Sequence, residues 1–134
     1  MILGIDPGTR RVGLAVADTE TRFARPLEVI DSREIDPLER IVEVVRSMEV
    51  ELVVVGRPIA LSGRPERAVE DLKPFVEALR ESLSVEVREF DERLSTVVAE
   101  AGLRASGAGR KARAALKDAV AAQVMLQNYL DTER

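Results

Sequence analysis

Apolar positions in the first part of the chain follow the period of extended backbone. Met1, Ile2, Leu3 and Ile5 form a short buried run, and RVGLAVA (11–17) alternates well enough for a second strand. RFARPLEVID (22–31) supplies a third, with Pro26 placing it at a sheet edge or bulging it, because proline cannot donate to a ladder. Gly13 leaves the second strand open to a close approach by another backbone. Short turns join the three runs, so an antiparallel meander is expected. Behind Asp6, Pro7 and Gly8 force the first turn: proline pre-sets one backbone angle and glycine permits the positive sign of φ.

The period then changes. DPLERIVEVVRSME has Asp36 as N-cap, Pro37 in the first helical position, and apolar residues at Leu38, Ile41, Val42 and Val45. VELVVVG follows as a continuous apolar run, the signature of a parallel strand in a sheet interior. The loop RPIALSGRPE leads into a second amphipathic helix through Val69, Leu72, Phe75, Val76 and Leu79. SVEVREF reads as the next strand. Ser95 then caps a helix running to about Arg104 and stopped by Gly107, and ARAALKDAVAAQVMLQNYL is an alanine-rich helix of high propensity.

Three strands followed by helix, strand, helix, strand and two helices give an α/β fold. Helical crossovers demand parallel neighbours and place the helices on the sheet faces. The expected architecture is a mixed five-stranded sheet, an antiparallel meander of three strands plus two parallel strands, flanked by helices. With 134 residues, no linker and no repeat, residues 1–134 read as one domain.

Composition narrows the chemistry. The chain has no cysteine and no histidine, which removes disulfides, thiolate metal sites, histidine-ligated zinc and serine–histidine triads. A bound metal would sit on oxygen ligands, which suits Mg²⁺ or Mn²⁺. No apolar stretch is long enough to span a membrane, and the chain starts on a strand rather than a signal peptide, so a cytoplasmic protein is expected. A formal net charge of −4 argues only weakly against a nucleic-acid partner, since clustered charge matters more than its sum.

In a sheet of this kind function sits outside the carboxyl ends of the parallel strands. Asp6 ends the first strand, and Asp91 and Glu92 follow directly on the last. Asp118 lies on the final helix among Ala114, Ala115, Ala119, Ala121 and Ala122, small residues that let the helix approach the sheet. Each acid has an ordinary alternative: a turn residue for Asp6, a cap for Asp91, and a solvated partner of Lys117 or Arg113 for Asp118. Their convergence on one rim favours the catalytic reading, with Asp6, Glu92 and Asp118 as metal ligands. Glu92 is preferred to Asp91 for its longer reach. Two ions about 4 Å apart would clamp a phosphodiester, one activating water and the other stabilising the leaving oxygen.

Basic residues gather beside this set. Arg104, Arg110, Lys111, Arg113 and Lys117 form a stretch without acids, loosened by Gly107 and Gly109 and leading into the helix of Asp118. Arg10, Arg11, Arg57 and Arg64 are placed on loops flanking the same rim. All nine are candidate phosphate contacts. The few Phe and Tyr residues look buried, so recognition by shape and backbone is expected, with structured RNA or branched DNA as partner.

LGIDPGTRRVGLAVAD, VVVGRP…SGRPE, FDERLST…AE and KDAVAAQVMLQNYL, in that order, resemble the signature blocks of the YqgF (RuvX-like) family. The resemblance covers nearly the whole chain. It implies a ribonuclease-H-like fold and metal-dependent phosphodiester cleavage, with Asp6, the pair Asp91–Glu92 and Asp118 on the family's acidic positions. The names attached to that family are pre-16S rRNA nuclease and Holliday junction resolvase. The chain departs from its pattern at Arg57, in the IALSG loop and at Ala17, which are expected on the substrate side. Two other readings compete. DPGT also resembles the phosphate loop of actin-type ATPases, but these enclose ATP between two lobes and this chain supplies one, so no nucleotide cofactor is expected. A non-catalytic nucleic-acid-binding module would not need the full set of acids. A resolvase would need a two-fold dimer, and the sequence leaves monomer and homodimer open.

Overall fold

A computed structural model of the chain describes residues 1–8, 10–57, 65–91 and 110–132, with side chains described for 1–8, 10–56, 72–90 and 118–132. Five strands, β1 (Ile2–Asp6), β2 (Arg11–Ala17), β3 (Ala24–Asp31), β4 (Leu52–Arg57) and β5 (Glu86–Asp91), form one sheet in the order β3-β2-β1-β4-β5. β1, β2 and β3 are the antiparallel meander, and β4 and β5 run parallel to β1. The expected mixed sheet is therefore observed. The helix expected over 95–104 falls outside the described residues.

β3 is both an edge strand and bulged. Its register with β2 shifts between Leu14, opposite Glu28, and Ala15, opposite Pro26, so Leu27 is the extra residue. Gln127 covers part of that edge: its side chain accepts from the Ala24 amide (2.9 Å) and donates to the Arg22 carbonyl (3.0 Å), while Gln123 donates to the Ala24 carbonyl (3.1 Å). β4 lies between β1 and β5 with Val53, Val54 and Val55 fully buried, as its unbroken apolar run requires.

Helices α1 (Pro37–Ser47) and α2 (Pro65–Ser82) cover one face, and α3 (Arg110–Thr132) covers the other. Asp36 caps α1 by accepting from the Leu38 amide (3.0 Å), with Pro37 at the first helical position. Arg40 fixes α1 to β3 by donating through Nε and Nη2 to Glu28 (2.8 and 2.6 Å). α2 starts at Pro65, inside the stretch expected as loop, because proline is also suited to the first helical turn.

Alternation sorts the sheet residues between two cores. Leu3, Ile5, Leu14, Val16, Val53 and Val55 pack with Ile41 and Val44 of α1 and Leu72, Val76 and Leu79 of α2. Ile2, Ala15, Ala17 and Val54 pack on the other face with Ala122, Met125, Leu126, Tyr129 and Leu130 of α3. That second face carries smaller sheet residues, so α3 lies close to the strands. Phe23 corrects the expectation of buried aromatics: it is 74% exposed, at the turn entering β3, while Phe90 meets Tyr129 edge-on at 5.6 Å.

Candidate active site

The carboxyl ends of β1, β4 and β5 and the matching ends of β2 and β3 form one rim of the sheet. Read across the strand order, that rim ends in Asp31 (β3), Arg11 (β2), Asp6 (β1), Arg57 (β4) and Asp91 (β5). Arg57 and Asp91 are register partners. Two details differ from expectation: Asp91 is the last residue of its strand, and Arg57 ends β4 rather than lying on a loop; Arg11 opens β2, the strand expected over 11–17.

Asp6 is half-buried and stands directly across from Gly13 of β2. Opposed residues of an antiparallel pair share a face, and here it is the face of α3: two residues back along β1, a Cβ on Gly4 would lie 2.9 Å from Leu126 Cβ. Gly13 is where α3 comes closest. A Cβ there would sit 1.9 Å from the carbonyl oxygen of Asp118 and 3.1 Å from the amide nitrogen of Ala119. The missing side chain of Gly13 is thus the space that the α3 backbone at Asp118 occupies, over the residue that faces Asp6. Ala119, Ala121 and Ala122 are buried along the helix, as the small-residue argument anticipated.

Asp118 keeps about a quarter of its side chain exposed, and its Oδ2 is buried 3.2 Å from Arg11 Nε. That cross-element ion pair was not among the partners considered from the sequence, Lys117 and Arg113, whose side chains lie outside the described set. Arg10 sits in the turn at 3.9 Å from Asp31, and Arg33 approaches the same carboxylate at 3.7 Å. Asp31 and Arg33 were not singled out from the sequence. The signal was available, since β3 runs parallel to β1 and therefore ends on the same rim.

The turn after Asp6 also departs from its first explanation. Gly8 does not occupy the left-handed region; a Cβ there would instead lie 2.4 Å from the Arg11 carbonyl oxygen, so space and not φ requires glycine. Ala17 stands at the opposite end of β2 from Asp6, paired with Ile2 and Ala24, and is not on the rim. Arg110 and Lys111, expected just ahead of the last helix, begin it. Glu92, Arg64 and Arg104 lie outside the described residues, as does the side chain of Asp91.

Asp6 and Asp118 fit an oxygen-ligated divalent cation by donor type and by their shared face, with Gly13 leaving room for the α3 backbone between them. Among the described residues no three acidic side chains gather tightly enough to hold a metal. No described helix is long and apolar enough to cross a membrane.

A family model described as RuvX, Holliday junction resolvase, matches residues 1–132. The chain belongs to the RuvX family. A Bacillus cytotoxicus relative named "Putative pre-16S rRNA nuclease" is 41% identical over 135 residues, covering 98% of each chain. A Clavibacter sepedonicus protein of the same name is 40% identical over 134 residues, covering 98% of this RuvX-family chain and 83% of that protein. Among solved structures, Thermus thermophilus RuvC in complex with a Holliday junction substrate superposes with a TM-score of 0.58 at 23% identity, covering 98% and 94% of the two chains. The Fowlpox virus resolvase in complex with Holliday junction DNA gives 0.57 at 9% identity, with 98% and 97% covered. At such identities the likeness is one of fold, and it places this RuvX-family chain among the ribonuclease-H-like sheets.

Proposed function

We propose that the chain is a divalent-metal-dependent endonuclease acting on structured nucleic acid, with the 5′ leader of precursor 16S rRNA as its first substrate. The single observation that carries this reading is the close approach of the α3 backbone at Asp118 to Gly13, the residue directly across from Asp6. RuvX-family membership and the names of the relatives at about 40% identity support the reaction class and the RNA.

Asp6, Asp118 and Glu92 are the proposed holders of Mg²⁺ or Mn²⁺. Glu92 is preferred to Asp91 because its longer side chain reaches further over the rim. When bound, such ions supply an activated water and a countercharge for the leaving oxygen. The protein's part is to hold the carboxylates at a rigid strand end and helix surface, and to fix the phosphate backbone beside them. Arg10 and Arg11, with Arg57, Arg64, Arg104, Arg110, Lys111, Arg113 and Lys117, are the proposed phosphate contacts; the turn and strand positions of the first two put them on the rim of Asp6.

The test is cleavage of a precursor 16S rRNA 5′ leader and of a four-way DNA junction by the purified chain. Cleavage of the leader is expected in Mg²⁺ or Mn²⁺, with loss in EDTA and in Asp6→Asn. Undiminished cleavage in EDTA would overturn the metal assignment. Cleavage of the junction alone would move the substrate to branched DNA.

A further inference from the structure

The Arg11–Asp118 pair offers more than a phosphate contact. Arg11 opens β2, is pinned in register opposite Asp31, and reaches across to α3 to place Nε 3.2 Å from a buried carboxylate oxygen. The acid it reaches is the one whose backbone lies over Gly13, across from Asp6. Two carboxylates on one face repel each other when no cation lies near them, and Arg11 supplies that cation from the protein itself. A divalent ion bound to that carboxylate would stand within a few ångströms of the guanidinium and repel it, while drawing off the negative charge that holds it there. With its side chain 39% exposed, Arg11 has room to leave toward solvent.

We propose that Arg11 is an exchangeable counter-ion: it holds Asp118 in the metal-free protein, and on metal loading it releases that carboxylate and turns to a substrate phosphate beside the site. This rests on the metal-dependent reading above and adds the order of events. Arg11 is a positioning residue in the first state and a substrate contact in the second. The chain would then bind nucleic acid through Arg11 only when loaded, which couples substrate binding to metal occupancy without any change of fold.

Three readouts on Arg11→Met, all made without turnover, test the exchange. Calorimetric titration of Mn²⁺ should show tighter binding by about fivefold, which corresponds to about 1 kcal/mol for a partly exposed pair no longer competing. Melting should start lower than the parent's in EDTA, and the deficit should close in saturating Mn²⁺. Binding of the precursor rRNA leader in Ca²⁺ should lose about one unit of salt slope relative to the parent, with no difference between the two proteins in EDTA. A parent that binds Mn²⁺, with a variant of unchanged affinity or an equal loss of salt slope in both Ca²⁺ and EDTA, would overturn the exchange while leaving the metal site standing. A parent that binds no divalent ion would overturn both.

Discussion

Replacing Gly13 by alanine adds one methyl group where the α3 backbone already lies. The new Cβ would stand 1.9 Å from the carbonyl oxygen of Asp118 and 2.4 Å from its carbonyl carbon, whereas ordinary contact begins near 3.4 Å. The obstructing atoms are backbone, so no rotamer change relieves the clash, and α3 must lift by about 1.5 Å at this point. It cannot tilt freely, because Ala122, Met125, Leu126 and Leu130 anchor its following turns in the core. Overpacking of this kind costs about 1–3 kcal/mol, offset by about 0.4–1 kcal/mol from the narrower unfolded ensemble of alanine. The net loss, at most about 2.6 kcal/mol, should lower Tm by up to about 10 °C for a chain of this size.

Activity should suffer more than stability. Asp118 would be carried away from Asp6 by over an ångström, a displacement that costs about a hundredfold in rate where catalytic groups must converge. Gly4→Ala is the matched control: its Cβ would meet side-chain atoms of Leu126 at 2.9 to 3.3 Å, two residues back along β1. That variant should lose comparable stability while retaining most cleavage. Thermal melts beside single-turnover cleavage of the rRNA leader make the comparison. Parental melting and cleavage in Gly13→Ala would refute the close-approach argument, and equal inactivity in both variants would refute its link to Asp118.

Two further outcomes bear on residues whose side chains lie outside the described set. Glu92→Gln should abolish cleavage in the metal-loaded protein and Asp91→Asn should reduce it far less; the reverse order, measured on the same leader, would transfer the third ligand to Asp91. Changing Arg110, Lys111 and Arg113 together to alanine should weaken binding to structured RNA or DNA and flatten its salt dependence by about one unit for each phosphate no longer neutralised. Its Tm and its cleavage at saturating substrate should change little, and equal affinity and slope in a two-salt titration would move the nucleic-acid path elsewhere.

Much of the architecture is legible because its signals are local. The alternation of RVGLAVA, the proline that keeps β3 at an edge, the Asp36–Pro37 start of α1 and the apolar run of β4 each announce an element without reference to the rest of the chain. Gly13 is a long-range feature that sequence anticipates, because glycine inside a strand asks what else comes close. The answer, the Asp118 carbonyl, is separated from it by most of the chain. Gly8 shows the limit of the same reasoning. Its residue type signals a special requirement, but whether that is the sign of φ or the nearness of Arg11 is decided only when the turn is closed in space.

The electrostatics of the site are less legible for a related reason. Sequence ranks partners by helical spacing, so Asp118 is matched to Lys117 or Arg113, and the pair to the first residue of β2 is not anticipated. Nothing local marks Arg11 for that role; it follows from β2 running antiparallel beside β1, which returns the residues after Asp6 to the same rim. The same topology assigns the faces. Asp6 belongs to the face of Ile2 and Gly4, against α3, and β5 presents Phe90 to that face.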